Sequence, residues 1–277
     1  MTHKFANLAY ARLNLDFDQD VFLKEYDEYI LPASNYISHG YRDWEQTRNL
    51  NREWGMVDPE IYDRCDVESS IEFGTVMRRN IRPWQMTQLL YLQTKDSDPE
   101  LIKSGAYFGG TFMRNMTLNR FWAIKPKFKH LEIVKWILQT LPFRKIISIH
   151  CVSLDAGSPA IIHRDDRHTP EVGIENYSLA NGLFKKGFII IVLNLTDGGV
   201  PLYWSLDGEH KPIISNDRCY INSDWFLHGV PVCTSRRRQI RITGIPTDQL
   251  SGLIDITSKI EVPEDFVYDT EPNLYPG

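Results

Sequence analysis

Hydrophobic residues follow two different periods along this chain, and the change from one to the other comes near residue 143. Before that point, residues 18–30 and 129–141 carry apolar side chains at intervals of three and four, which predicts amphipathic helices. The apolar positions are Val21, Phe22, Tyr26, Tyr29 and Ile30 in the first segment, and Leu131, Val134, Leu138 and Leu141 in the second. Prolines at 32 and 142 end both segments. Residues 83–93 begin with a proline and predict a third helix.

After residue 143 the apolar residues alternate or run continuously, which is typical of strands. The predicted strands cover 145–154, 160–165, 187–195, 200–205, 210–215 and 237–245. The 187–195 segment is almost wholly apolar and β-branched, so we expect it to be buried on both faces. Asp207-Gly208 lies between two of the strands and predicts a hairpin turn.

Many short strands separated by turn residues favour a double-stranded β-helix, the jelly-roll or cupin-like barrel. The sequence therefore predicts a mainly β protein with some helix. We expect a helical N-terminal portion at 1–143, the barrel at 144–246, and a C-terminal tail at 247–277 that wraps the surface.

Composition narrows the possible partners. The chain has 277 residues with 31 basic and 36 acidic side chains, a net charge of −5. This balance argues against nucleic-acid binding as the main activity. No apolar run is long enough to cross a membrane, and the N-terminus lacks the apolar stretch of a signal peptide. The four cysteines show no metal-type spacing, so we expect reduced thiols and a cytoplasmic protein.

The candidate chemistry centres on His163, Asp165 and His228. His163 and Asp165 are two residues apart, so in an extended strand they share one face. His228 is predicted near a later strand and is the best third ligand. Two histidines and one carboxylate on one face of a metal form the facial triad of non-haem Fe(II) oxygenases.

Arg238 is the fourth candidate. In the predicted closing strand it shares a face with Ile240 and Ile242, so we expect it to point into the barrel if they do. A guanidinium in an apolar interior requires an anion, and no acid in a neighbouring strand is an obvious partner. A ligand carboxylate is therefore the simplest partner for Arg238.

Residues 145–245 resemble the Fe(II)/2-oxoglutarate-dependent oxygenases, and within them the branch of aspartyl/asparaginyl β-hydroxylases and proline hydroxylases. The resemblance rests on three segments: Ser153–Asp165, Trp225–Pro231, and the strand that begins at Arg238. It implies Fe(II) held by His163, Asp165 and His228, with 2-oxoglutarate as cosubstrate and dioxygen as oxidant.

The same resemblance implies that Arg238 binds the distal carboxylate of 2-oxoglutarate. It also implies a hydroxylase whose substrate is an amino-acid side chain, free or within a peptide or protein. His150, Asn194 and Trp204 are the candidate residues of the substrate pocket. Because Asp165 is present, the chain is more similar to the proline hydroxylases, since some aspartyl/asparaginyl hydroxylases lack the acidic ligand.

Two other interpretations stay open. The triad could hold Zn or Mn in a cupin-like metalloprotein that is not an oxygenase, which would leave Arg238 without a role. Alternatively, the barrel could be a non-catalytic binding module, because a fold alone does not determine a function.

Overall fold

The computed structural model describes residue 5 and ranges 8–37, 40–41, 69–72, 75–79, 84–93, 121–156, 160–163, 189–196, 202–204, 212–214, 217–222, 228–230 and 234–261. Side chains are described for part of these ranges. Within this part of the chain, no helix is both long and apolar enough to cross a membrane.

Strands dominate the described residues. They are β1 (Leu8–Arg12), β2 (Asn35–Ile37), β3 (Gly40–Tyr41), β4 (Ser69–Glu72), β5 (Thr75–Arg79), β6 (Trp84–Gln88), β7 (Leu90–Gln93), β8 (Phe121–Ile124), β9 (Phe143–Leu154), β10 (Ala160–His163), β11 (Ile189–Asn194), β12 (Leu202–Trp204), β13 (Pro212–Ile214), β14 (Cys219–Asn222), β15 (His228–Val230), β16 (Arg237–Pro246) and β17 (Ile260–Glu261). The α-helices are α1 (Gln19–Glu25), continued by a π-helical turn at Tyr26–Ile30, and α2 (Glu132–Thr140). Short 3₁₀ segments lie at Leu31–Ala33, Pro126–Phe128, Asp248–Gly252 and Ile256–Ser258.

Eight strands form the main sheet, in the order β17-β1-β14-β11-β16-β9-β6-β2. The strand pairings among its described residues are antiparallel, and β11 lies between β14 and β16. Every residue of β11 is buried, as its apolar, β-branched sequence predicted. The predominance of strands among the described residues confirms the prediction of a mainly β protein.

One face of the main sheet, here the helix face, packs against α1 and α2. Ile191 of β11, Ile149 of β9, and Ile240 of β16 belong to the same buried cluster as Phe22 of α1 and Ile137 of α2. These apolar residues are therefore buried by the helical layer.

The helical layer is fixed at a helix terminus. Glu25, the last residue of α1, accepts hydrogen bonds from the backbone N–H groups of Glu132 and Ile133 at the start of α2, at 2.7 and 2.9 Å. These are two of the N–H groups that a helix cannot satisfy internally, so a carboxylate from a neighbouring helix provides their acceptor.

The second sheet has the order β10-β15-β12-β13, and neighbouring strands in it are antiparallel. Val230 of β15 packs against Val152 and Leu154 of β9. These two residues lie on the face of the main sheet opposite the helix face, here the inner face. The second sheet thus covers the inner face at this point, and β12 and β13 pair as the predicted hairpin.

The predicted helix at 83–93 is wrong. Residues Trp84–Gln88 form β6, which pairs with β9, and Leu90–Gln93 form β7, which pairs with β8. The helices predicted within 18–30 and 129–141 are confirmed by α1 and α2.

The N-terminal portion is less helical than predicted, because β1, β2 and β6 are strands of the main sheet. Among the described residues, no hydrogen-bonded strand joins the main sheet to the second sheet, so a closed barrel is not seen. In the C-terminal tail, β17 pairs with β1 and Leu250 is buried in the core. The division of the chain at residues 143 and 246 stays a prediction.

Candidate active site

The second sheet brings the two predicted histidine ligands together. β10 and β15 run antiparallel, and His163 and His228 are directly opposed in the ladder. Residues opposed in this way have Cβ atoms about 4.5–5.5 Å apart. The chain positions are 65 residues apart in sequence, so the pairing results from the fold and not from local sequence.

A register shift lies beside this pair. Ala160 is opposed to Val230, while His163 is opposed to His228, so β10 has one more residue than β15 between the two pairs. Such bulges are frequent next to active sites, where they alter the direction of a strand. His228 lies two residues before Val230 in β15.

The other predicted residues of the second sheet are described less fully. Asp165 lies outside the described residues, two positions after the end of β10. Trp204 ends β12 and is opposed to Pro212, and its neighbour Tyr203 is opposed to His228. The backbone thus places Trp204 one residue from the partner of His228.

Arg238 has an acidic partner within the chain, although that acid does not come from a neighbouring strand. Its Nε and Nη2 atoms donate to Oδ1 and Oδ2 of Asp27 at 2.6 and 2.8 Å, a bidentate ion pair with the π-helical turn. Arg238 does share a face with Ile240 and Ile242, but that face packs against the helices. Ile240 and Ile242 are buried because they lie on the helix face, not because they line the inner face. The Arg238 side chain is 18% exposed on the helix face.

Arg237 occupies the inner face instead. It is opposed to Leu154, and Gln239 is opposed to Val152, so these four residues lie on one side of the sheet. Arg237 is 3% exposed. None of its three guanidinium nitrogens has a hydrogen-bond partner among the residues that the structure describes. A buried, unpartnered guanidinium is strongly unfavourable, so this group has the properties of an anion site.

Asn194 lies near Arg237 on the inner face. It is opposed to Gln239 and is 3% exposed, and its Oδ1 atom is also without a hydrogen-bond partner within the described ranges. Gln239 donates from Nε2 to the hydroxyl of Tyr220 at 3.0 Å. The inner face of β11, β14 and β16 therefore carries polar groups, two of which have buried hydrogen-bonding capacity in reserve.

His150, the third substrate candidate, is held in a hydrogen-bonded cluster on the inner face. Its Nε2 atom lies 3.1 Å from Nε2 of Gln88, and its Nδ1 atom lies 2.9 Å from the hydroxyl of Ser148. The side-chain oxygen Oε1 of Gln88 accepts hydrogen bonds from the backbone N–H groups of Ile149 and Leu90, which fixes the orientation of the side-chain amide. Gln88 must therefore donate to His150, so the Nε2 atom of the imidazole is the acceptor.

The buried thiols are unsuited to nucleophilic chemistry. Burial raises the pKa of Cys151 and of Cys219 far above the ordinary range of a thiol. Both are free and buried, and such thiols remain protonated and inert. On the helix side, burial also raises the pKa of the Tyr26 hydroxyl.

Sequence reasoning missed Arg237 and Asp27. Arg237 lies inside a run of three arginines that resembles a solvent-facing strand edge. In the sequence, Arg237 could be recognised only by sharing a strand face with Gln239. That observation identifies a site residue only when the inner face of the strand is known.

No protein-family model matches the sequence, and no curated protein matches it. Solved structures with some similarity include a Pseudomonas putida prolyl-4-hydroxylase, at 11% identity and a TM-score of 0.29 over 83% of this chain and 100% of that one. A Trichoplax adhaerens prolyl hydroxylase, solved with a hypoxia inducible factor peptide fragment, has 11% identity and a TM-score of 0.32 over 84% and 91%. A Burkholderia pseudomallei oxidoreductase of the 2OG-Fe(II) oxygenase family has 9% identity and a TM-score of 0.33 over 83% and 91%. Function is therefore argued from the residues of this chain.

Proposed function

We propose that this protein is an Fe(II)- and 2-oxoglutarate-dependent oxygenase that hydroxylates an amino-acid side chain. The observation that carries the proposal is the opposed pair His163 and His228 in the second sheet. Asp165, two residues after His163, completes the ligand set.

The donor set fits iron. Two imidazoles and one carboxylate suit Fe(II) and leave coordination positions open on the opposite side. When bound, Fe(II) with 2-oxoglutarate supplies the activation of dioxygen, with succinate and CO2 as coproducts. His163, Asp165 and His228 would hold the metal, and the two sheets would be the layers of a double-stranded β-helix around it.

The cosubstrate requires a cation for its distal carboxylate. The strand face shared with Ile240 and Ile242 and the family resemblance favoured Arg238, but Asp27 occupies its planar fork. Arg237 is adjacent in sequence, on the inner face, and without a partner among the described residues. We therefore assign the carboxylate to Arg237, because a charge-assisted, bidentate contact would satisfy a guanidinium that is otherwise unpaired.

The proposed substrate is an amino-acid side chain, either free or within a peptide or protein, as in the aspartyl/asparaginyl and proline hydroxylases that the sequence resembles. His150, Asn194 and Trp204 remain the candidate pocket residues. Asn194 has a buried carbonyl oxygen in reserve, which suits a substrate that presents an N–H or O–H donor.

The test measures succinate formation from 2-oxoglutarate with iron and dioxygen, across free amino acids and peptides. We expect iron-dependent succinate release that His163→Ala and His228→Ala abolish, because each removes a metal ligand. Asp255→Asn, which changes an acid on the far edge of the main sheet, is the matched control and should leave turnover intact. Release that survives in both histidine variants would rule out the proposed ligands.

The same assay separates the alternatives. A cupin-like metalloprotein would bind Zn or Mn through the same residues and release no succinate. A non-catalytic binding module would neither bind a metal ion through these residues nor release succinate. Metal analysis of the purified protein, together with the succinate assay, therefore assigns the protein to one of the three classes.

A further inference from the structure

The three consecutive arginines at 236–238 have three different environments. Arg236 lies next to Asp155, which follows β9, with 2.8 Å between Nη2 and Oδ1. By distance this is an ion pair, although Oδ1 of Asp155 has no aligned hydrogen bond. Arg238 pairs with Asp27 on the helix face. Arg237, between them, is buried on the inner face without a partner in the described part of the chain.

This arrangement poses a physical question. A buried guanidinium without an anion is unstable, and a long arginine side chain at the start of a strand can ordinarily turn outward to water. Something must keep Arg237 inside before any ligand binds.

The neighbours of Arg237 are anchored on both sides. Besides its contacts with Asp27, Arg238 donates from Nη1 to the carbonyl of Arg236 at 2.9 Å, which joins the two outer arginines across Arg237. The backbone N–H of Arg238 donates to the hydroxyl of Thr196 at 2.9 Å. The backbone N–H of Leu195 donates to the carbonyl of Arg238 at 3.0 Å.

Because side chains alternate along a strand, these contacts of Arg238 also determine the orientation of Arg237. Successive residues of a strand lie on opposite faces, so fixing residue 238 on the helix face places residue 237 on the inner face. The ion pair of Arg236 with Asp155 holds the strand end to the turn that follows β9.

We propose that the Arg238–Asp27 and Arg236–Asp155 ion pairs form a clamp that holds Arg237 on the inner face in the ligand-free protein, preorganised for a carboxylate. Asp27 and Asp155 are positioning residues, since they act through Arg237. The identity of the carboxylate as 2-oxoglutarate rests on the proposed function, but the clamp itself does not. Preorganisation increases affinity because the ordering cost has been met before binding.

The first experiment reads the clamp without any ligand. Phenylglyoxal modifies accessible guanidinium groups, and fragmentation mass spectrometry locates the label within residues 236–238. We expect Arg237 to be protected in the full-length wild-type protein and to become reactive in Asp27→Asn and Asp155→Asn. Asp255→Asn, which removes the acid paired with Arg12 on the far edge of the main sheet, should leave Arg237 protected. Equal labelling of Arg237 in wild type and both clamp variants would overturn the clamp.

The second experiment is a double-mutant cycle on the affinity for 2-oxoglutarate, measured by calorimetry with Fe(II) and without dioxygen. We expect Asp27→Asn to weaken binding about twofold to tenfold, the range of a partly exposed ion pair that acts indirectly. In the Arg237→Met background, Asp27→Asn should have no further effect. An equal loss in both backgrounds would show that Asp27 does not act through Arg237.

The two proposals can fail separately. If wild-type protein binds no 2-oxoglutarate while the labelling pattern is as expected, the cosubstrate assignment falls and the clamp stands. If 2-oxoglutarate binds and turns over while Arg237 labels freely in wild type, the clamp falls and the proposed function stands.

Discussion

At the residue scale, Arg237 is a buried cation that has no partner among the residues the structure describes. The net penalty for burying an ion in a protein is several kcal/mol, and here no group within the described ranges offsets it. A bound carboxylate would offset this cost by pairing with the guanidinium. The cost therefore marks Arg237 as a binding residue more strongly than strand alternation marks Arg238.

Arg237→Met tests this assignment. We expect the apparent constant for 2-oxoglutarate to rise by roughly tenfold to a hundredfold, because a bidentate charge-assisted contact is lost. Stability of the ligand-free protein, measured by denaturant unfolding, should be equal to or above that of wild type, because a buried unpaired charge is removed.

Arg238→Met is the matched comparison for that variant. It should change 2-oxoglutarate affinity less than Arg237→Met and should lower stability, because Asp27 loses its partner. If Arg238→Met is the variant with the larger loss of affinity, then the sequence-based choice of Arg238 was right and the assignment to Arg237 is wrong.

The lowered pKa of Lys125 predicts how the stability of the protein changes with pH. Burial, followed by the charge of Lys127, lowers its pKa from 10.5 to about 8. Between these values the folded protein binds fewer protons than the unfolded chain, so the free energy of unfolding should rise as the pH increases from about 8 to 10.5.

Lys125→Met should remove this rise and stabilise the protein at pH 7 by about 2 kcal/mol, discounted for the exposed part of the side chain. Lys129→Met, an exposed lysine in the same segment, is the control. Chemical denaturation across this pH range provides the measurement, and parallel pH profiles for wild type and Lys125→Met would contradict the expectation.

At the element scale, one carboxylate links the two helices of the helical layer. Glu25 supplies the acceptor for two N–H groups at the start of α2, although it belongs to a different helix. The sequence could not indicate this contact, since residues 25 and 132 are distant along the chain. Their meeting depends on the packing of both helices on the main sheet.

Glu25→Ala should lower the free energy of unfolding by about 1 kcal/mol, the usual effect of losing a helix N-cap. Glu28→Ala, an exposed acid of the π-helical turn, is the control and should change stability by less than about half as much. Thermal or denaturant unfolding of the two variants compares them directly. An unchanged midpoint for Glu25→Ala would show that water replaces the carboxylate at no cost.

The elements differ in how far the sequence predicted them. Periodicity predicted β9 to β13, β16 and the helices α1 and α2, but it did not predict β15 or β17. Residues 83–93 do not, because their apolar residues fit a helix while their backbone groups pair with β9 and β8. Long-range pairing of this kind overrides local preference.

The same limit applies to the site. Alternation correctly predicted that Arg238 shares a face with Ile240 and Ile242, but a sheet that is buried on both sides has two apolar faces. Alternation cannot tell which of them lines the site. The acid that meets Arg238 comes from residue 27, and only the fold brings it there.

At the scale of the whole molecule, the two sheets contribute different residues to the proposed site. The second sheet opposes His163 and His228, and the main sheet presents Arg237, Asn194 and Gln239 on its inner face. The helical layer supports the main sheet from the other side and holds Arg238. The proposed function therefore requires that the two histidines bind one metal ion between the sheets.

Anaerobic titration with Fe(II), followed by addition of 2-oxoglutarate, tests that claim most directly. We predict one iron per chain in the wild-type protein and a visible charge-transfer band when 2-oxoglutarate is added. His163→Ala and His228→Ala should each lose both signals while keeping the circular dichroism of the folded protein. Wild-type iron affinity in either variant, with the band intact, would contradict the account.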